Sequence, residues 1–396
     1  MRHILNNIIL FCLAAVLHSC SDDAPMVSLG IDDTYVVYRM QKLPLQSALT
    51  GTGYRWILTS PDGKSAVVST TRDYIFLAEH EGQYTLDIDI IDGGDVFSAR
   101  SVINVVHEEV EYSPYIARVY EYRPAPGQFI NNMPKYEEGD TYASMLKKAE
   151  ESISGTNDVM ISLGAYGGYV TFGFDHTVIN HPGEADFRIW GNAFYELTEP
   201  GRKGGSAEPG IVMVSYDVNC NGLPDDAWYE LKGSDYDNPL TLHDYSIIYR
   251  RPAADAYRKD VVWEDSEGMT GVLKVNSTHR QPYYPAWVEE ETLSFSGSRL
   301  PGNAMDVSGN GMYFILYSFD WGYVDNHPNE YAELNSFNIS DAVDANGFPV
   351  ELPGVDFIRV YTSLNQDCGW IGETSTEMSK AQDLHLHGSP SPVPAP

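Results

Sequence analysis

The chain has 396 residues, a formal net charge of −31 and 27 tyrosines. Such a charge excludes a general nucleic-acid or anionic-lipid surface, because both need basic patches. Many tyrosines and tryptophans with few helical periods point to β structure and aromatic-lined surfaces.

The first segment, residues 1–19, reads as a targeting signal and is left out of fold reasoning. Its apolar core, Ile8 to Leu17, is too short to span a bilayer as a mature helix. It ends Leu17-His18-Ser19-Cys20, which resembles a bacterial lipobox and implies cleavage before Cys20 and lipidation of its thiol. The acidic Ser21-Asp22-Asp23 that follows, within the linker 20–25, resembles a surface-export signal of Bacteroidetes lipoproteins. Membrane attachment is then through the lipid alone, on the outer membrane and facing outward, since no later apolar run approaches the roughly 18 residues of a span.

Residues 26–107 read as a small β-sandwich of PKD-like or immunoglobulin-like type. Tyr54, Trp56 and Leu58 alternate on one face, as do Tyr84, Leu86, Ile88 and Ile90 before the turn Asp92-Gly93-Gly94-Asp95. No ligand site is evident there, and a spacer role is expected. Residues 108–387 read as a larger, jelly-roll-like β-sandwich with one covering helix, followed by a disordered tail at 388–396. The helix is predicted over Asp140–Gly155, with Asp140 as N-cap and Tyr142, Met145, Ala149 and Ile153 on its inner face. Strands are predicted at Val159–Leu163, Tyr169–Phe174, Asp186–Trp190, Ile211–Tyr216, Tyr245–Tyr249, Tyr313–Ser318 and Asp356–Thr362.

The most organised stretch is EPGIVMVSYDVNCNGLPDDAWYELKGSDY, from Glu208 to Tyr236. A buried strand empties into a loop with Asp217, Asn219 and Asn221 at alternate positions, then Gly222, the Leu223 carbonyl and Asp225. Hard cations want six to eight oxygens, so these five residues are the candidate ligands of a structural calcium ion. Trp228 stands where an EF-hand needs Glu, so the loop is not an EF-hand. A metal-free turn is the competing reading, because Asn, Gly and Asp favour turns for local reasons. Cys220 and Cys368 are the cysteines left outside the leader, and pairing between them stays open.

Loop aromatics are the candidate ligand contacts: Tyr166 and Tyr169 around a Gly pair; Tyr283, Tyr284 and Trp287 in a Pro-stiffened run; Trp321 and Tyr323 beside Asp325 and Asn326; and Trp370. Single rings of this kind also commonly cap a core. The sequence has no nucleophile elbow, zincin, Walker or dinucleotide pattern, and binding without catalysis is expected. A glycan-binding protein, a glycoside-cleaving jelly roll and a protein-binding scaffold remain as alternatives.

Four blocks carry a family resemblance: DFRIWGNAF (Asp186–Phe194), EPGIVMVSYD with its continuation, WGYVDNHPN (Trp321–Asn329) and GVDFIRVYT…NQDCGWIGETS (Gly354–Ser375). Together they resemble Bacteroidetes cell-surface lipoproteins with a PKD-like N-terminal domain, associated with vitamin B12 (cobamide) acquisition. The resemblance implies capture of a cobamide beside a TonB-dependent outer-membrane transporter and neighbouring surface lipoproteins.

Overall fold

The computed structural model describes residues 29–196, 203–256 and 259–386. The leader, Cys20 and the tail lie outside them. No helix among the described residues is long and apolar enough to cross a membrane. The chain divides into two units, with residues 29–38, Leu43–Phe76 and His80–Val106 in the smaller and the chain from His107 onward in the larger.

The smaller unit is a five-stranded sheet beside a two-stranded one. Strand Gly82–Asp92 alternates inward Tyr84, Leu86, Ile88 and Ile90, all buried, against outward Thr85, Asp87 and Asp89. Its hairpin partner Asp95–Val106 lies antiparallel in the register Ile88↔Ala99, and Thr34–Tyr38 joins the far side of that partner in parallel. Trp56 is fully buried, and its indole N–H donates to the Thr71 carbonyl at 2.9 Å, so the most apolar side chain leaves no orphaned donor.

The larger unit is mainly β with a single α-helix among the described residues, the fold class expected from the sequence. A six-stranded sheet orders Ala342–Val343, Trp228–Leu231, Gly210–Ser215, Phe357–Thr362, Tyr169–Gly173 and Arg118–Arg123, all neighbours antiparallel. A four-stranded sheet orders Thr270–Leu273, Val261–Asp265, Leu242–Arg250 and Thr292–Arg299. Two three-stranded sheets, one holding Gly204–Gly205, Phe314–Tyr317 and Ala304–Asp306, and two two-stranded sheets complete the described part of the unit. The inward residues Tyr245, Ile247 and Tyr249 of the four-stranded sheet cluster with Tyr166, Tyr283, Leu293 and Phe295.

The helix spans Tyr142–Ile153 and is capped by Thr141, whose side chain accepts from Ser144 N while Ser144 Oγ accepts from Thr141 N. The expected cap, Asp140, instead takes the Lys148 ammonium at 2.5 Å, because one further residue of extended chain precedes the first turn. Met145, Ala149 and Ile153 face inward as read from their spacing, whereas Tyr142 is exposed.

Candidate functional site

The loop after strand Gly210–Ser215 gathers the five expected calcium ligands into one turn. The Asp217 carboxylate accepts from Asn221 N at 3.1 Å and Gly222 N at 2.9 Å. Asn219 and Asn221 each donate a side-chain amide to Asp225, at 3.0 Å from Asn219, and these bonds hold the Asp225 carboxyl below the usual carboxylate range. The Leu223 carbonyl accepts from Asp225 N. Carboxylates, amides and a carbonyl are the donor types a hard cation takes. The side-chain oxygens of the two asparagines accept from the backbone, Asn219 from Asn221 N at 3.0 Å and Asn221 from Leu223 N at 2.7 Å.

A second loop repeats this turn, and the sequence reading missed it. Asp306-Val307-Ser308-Gly309-Asn310-Gly311 matches Asp217-Val218-Asn219-Cys220-Asn221-Gly222 at the first, second, fifth and sixth positions. Asp306 accepts from Gly311 N at 2.6 Å as Asp217 does from Gly222 N, and Asn310 accepts from Met312 N as Asn221 does from Leu223 N. Left-handed φ recurs at the fourth and sixth positions, +67° and +79° in one loop, +56° at Cys220 and +72° at Gly222 in the other. Cys220 therefore occupies a position whose counterpart is glycine, at a strain cost of order 1 kcal/mol. The second loop has Phe314 where the first has Asp225, so only the first offers two carboxylates. Cys220 is exposed, Cys368 is buried, and both are free thiols, so no disulfide joins them.

The expected aromatic contacts divide sharply. Tyr166, Tyr283, Tyr284, Trp287 and Tyr323 are buried, and the hydroxyls of the four tyrosines are spent inside the protein. Tyr166 Oη donates to the Gly297 carbonyl at 2.9 Å, Tyr284 Oη to the Glu290 carbonyl at 2.8 Å, and Tyr323 Oη accepts from Asp235 N. Trp287 stacks on Tyr122 and Tyr136. Their loops turn inward because a large ring removed from water outweighs what the same ring gains exposed on a turn. Tyr169 is half-buried beneath the Arg359 guanidinium, 4.5 Å from its ring centre. These six rings offer no open platform. Trp321 and Trp370, at 44% and 55% exposure, do.

Asp325 and Asn326 are likewise buried, and they hold their own loop in shape. Asn326 clips both polar groups of Phe319, accepting from its N and donating to its carbonyl, each at 2.9 Å. Asp325 accepts from the N–H groups of Asn192 and Ala193 at 2.6 and 2.8 Å and of Glu377 at 3.0 Å. Both lie fully out of solvent, so neither faces a ligand. Gly322 and Gly233 make this loop's close approach, since a Cβ at Gly322, where φ is +90°, would stand 2.5 Å from the Gly233 Cα.

That loop walls a cavity of about 570 Å³, together with the sheet of Ala304–Asp306 and Phe314–Tyr317. Its polar lining is Lys203, Asn303, Ser318, Asp320 and His327, and its apolar lining includes Met305, Tyr317 and Phe319. The Lys203 ammonium lies 5.2 Å from the Tyr331 ring centre and 5.7 Å from that of Tyr195. His327 Nε2 lies 3.1 Å from the Asp320 carbonyl, which can only accept, so Nε2 carries the proton and Nδ1 accepts from Tyr195 Oη at 2.6 Å. Burial lowers the His327 pKa, which agrees with this neutral tautomer. The Asn365–Trp370 loop braces the same wall: Gln366 Oε1 accepts from Asn303 N and its Nε2 donates to Asn303 Oδ1 at 2.7 Å. The sequence singled out both loops. It gave no sign of Lys203 or Asn303, which reach the cavity only through folding.

No established family matches this sequence, and no curated protein matches it either. Among solved structures, a "SusE-like protein BT2857" is similar over 88% of this chain and 95% of its own, with 9% identity and a TM-score of 0.25. A structure titled for "the promiscuous specificity of the carbohydrate-binding modules from the beta-sandwich super family" covers 89% of this chain and 94% of its own, with 11% identity and a TM-score of 0.15. At those TM-scores neither alignment bears on function.

Proposed function

We propose that this chain is a lipid-anchored surface protein of the outer membrane whose larger unit captures an oligosaccharide for a neighbouring TonB-dependent transporter. One observation carries the reading: the cavity of about 570 Å³ mixes donors and acceptors with aromatic surface, and an exposed ring, Trp321, follows Asp320 directly. Sugars present hydroxyls that need both donors and acceptors, and C–H faces that pack on rings. Lys203 donates, Asp320 accepts, and Tyr317 and Phe319 supply the apolar share. A cobamide is the ligand implied by the sequence resemblance, and the titration below sets it against an oligosaccharide. Glycoside cleavage needs two carboxyl groups roughly 5–9.5 Å apart flanking the sugar, and Asp320 is the one carboxylate among the described lining residues. The role proposed for this cavity is binding without cleavage. Calcium at Asp217–Asp225 is proposed as a structural ion that stiffens the turn.

The test is electrophoresis of the leaderless chain through gels containing a panel of polysaccharides, beside calorimetric titration with cyanocobalamin. Retardation by at least one polysaccharide is expected, weakened about tenfold by Asp320→Ala or Trp321→Ala, that is ~1.4 kcal/mol. Sub-micromolar cyanocobalamin binding with no polysaccharide retarded would overturn the reading in favour of a cobamide. A chain inert to both would overturn it in favour of a protein partner.

A further inference from the structure

Behind the cavity's loop lies a group of carboxylates that ligand capture does not use. Side-chain oxygens of Glu208, Asp325 and Glu377 lie within 4.8 Å of one another. Asp325 and Glu377 are buried and Glu208 is half-buried. Four separate stretches of chain meet here: 191–193 after strand Phe187–Trp190, Glu208 before strand Gly210–Ser215, Asp325, and Ser375 to Glu377. The donors are all neutral. Asp325 takes three backbone amides, Glu208 takes Ser375 N at 3.0 Å, and Glu377 takes Ser375 Oγ at 2.8 Å.

The remaining titratable groups facing the cluster add no positive charge. Glu373 is a fourth buried carboxyl, held by Gln128 N at 2.5 Å and pushed up to about 7 by burial. Tyr122 and Cys368 are buried, and their ionisation is opposed further by Glu377 and Glu208 respectively. No Lys, Arg or His among the described residues pairs with any of the three carboxylates. Like charges this close, out of water and without a counter-ion, cannot all form. Burial raises the pKa of each, and their mutual repulsion raises Glu208 and Glu377 further.

The backbone at Asp325 is under tension as well. Its φ of +57° lies in the left-handed region that favours glycine, and the three amides on its carboxylate hold it there. Gly191 passes flush against it, where a Cβ would stand 2.5 Å from Asp325 Oδ1. The same loop carries Asp320, Trp321 and His327.

We propose that Glu208, Asp325 and Glu377 form a proton-held latch: protons shared among them keep the loop 319–329 closed on the sheet, and their loss in alkaline medium releases it. The proposal rests on the cavity reading only for its consequence, that releasing the latch opens the ligand wall. The sign follows from linkage. Carboxyls whose folded pKa exceeds the unfolded value bind protons in the folded state that the unfolded state gives up. Their contribution is complete below the ordinary carboxylate range and is lost as pH rises through the raised folded values.

The experiment is hydrogen exchange on the ligand-free chain from pH 6 to pH 9, corrected for intrinsic rates, comparing wild type with Glu377→Gln. In wild type, opening of 319–329 should increase by up to about tenfold per pH unit for each shared proton as pH rises towards the raised folded values, and level off once the last shared proton has titrated. Glu377→Gln, which keeps a neutral group in place, should flatten that rise by at least about threefold. Parallel profiles for the two proteins would overturn the latch. So would a rise abolished by millimolar calcium and restored by EDTA, because a cation and not protons would then neutralise the cluster. Should Glu377→Gln fail to fold, Glu208→Gln at the half-buried rim makes the same comparison. No ligand enters this measurement, so its failure leaves oligosaccharide capture untouched, and an inert polysaccharide panel leaves the latch untouched.

Discussion

Glu230 on strand Trp228–Leu231 allows a quantitative test of how burial sets stability. Its carboxylate accepts from Ser298 Oγ at 2.6 Å, and that hydroxyl, having spent its one proton, accepts from His243 Nδ1 at 3.1 Å. No cation balances it among the described residues, and burial raises its pKa from 4.5 to about 7. At about 1.4 kcal/mol per unit, that shift is worth about 3 kcal/mol. Glu230 keeps some solvent contact, so about 2 kcal/mol is the better figure. The folded state holds the proton more tightly than the unfolded state, so stability falls as pH rises from about 4.5 through 7 and is level above it. Replacing Glu230 by Gln removes this titration and keeps the shape. Urea unfolding of the larger unit, which holds every tryptophan but Trp56, should therefore show the variant gaining about 2 kcal/mol on wild type between pH 5 and pH 8. Any fixed cost of placing an amide there is the same at both pH values and cancels. A difference constant to within about 0.5 kcal/mol would refute the assignment of the shift to burial.

Two further outcomes separate structural roles from ligand roles. Tyr166→Phe strands the Gly297 carbonyl and should lower stability by about 1–2 kcal/mol in thermal or urea unfolding, while polysaccharide retardation stays unchanged. Calcium should raise the melting temperature of the wild-type chain and of Asp306→Ala, but not of Asp225→Ala; a gain lost only in Asp306→Ala would move the ion to the second loop.

Much of the fold was legible because burial writes a period into the chain. Tyr84 to Ile90 alternate in the sequence and alternate in the sheet, and Met145, Ala149 and Ile153 recur as a helix face must. The strands missed had weaker marks. Arg118–Arg123 is a charged edge strand, Trp228–Leu231 spans four residues, and Thr292–Arg299 hides its alternation of Leu293, Phe295 and Gly297 among serines. The turn at Asp217 was readable because its bonds are local, and its twin at Asp306 carried the same signal.

The sequence by itself determined the β character, the helix, the turn chemistry and the two loops that wall the cavity, since each depends on residues a few positions apart. Only the tertiary structure decided which rings face water. Tyr166, Tyr283 and Tyr284 look like loop platforms in the chain, and each is drawn into a core assembled from sheets far apart in sequence. The carboxylate cluster was equally hidden, because Glu208, Asp325 and Glu377 are ordinary surface-type residues until four stretches of chain close over them. Charge and burial become costs only when distant segments share the same few ångströms, and no local pattern records that meeting.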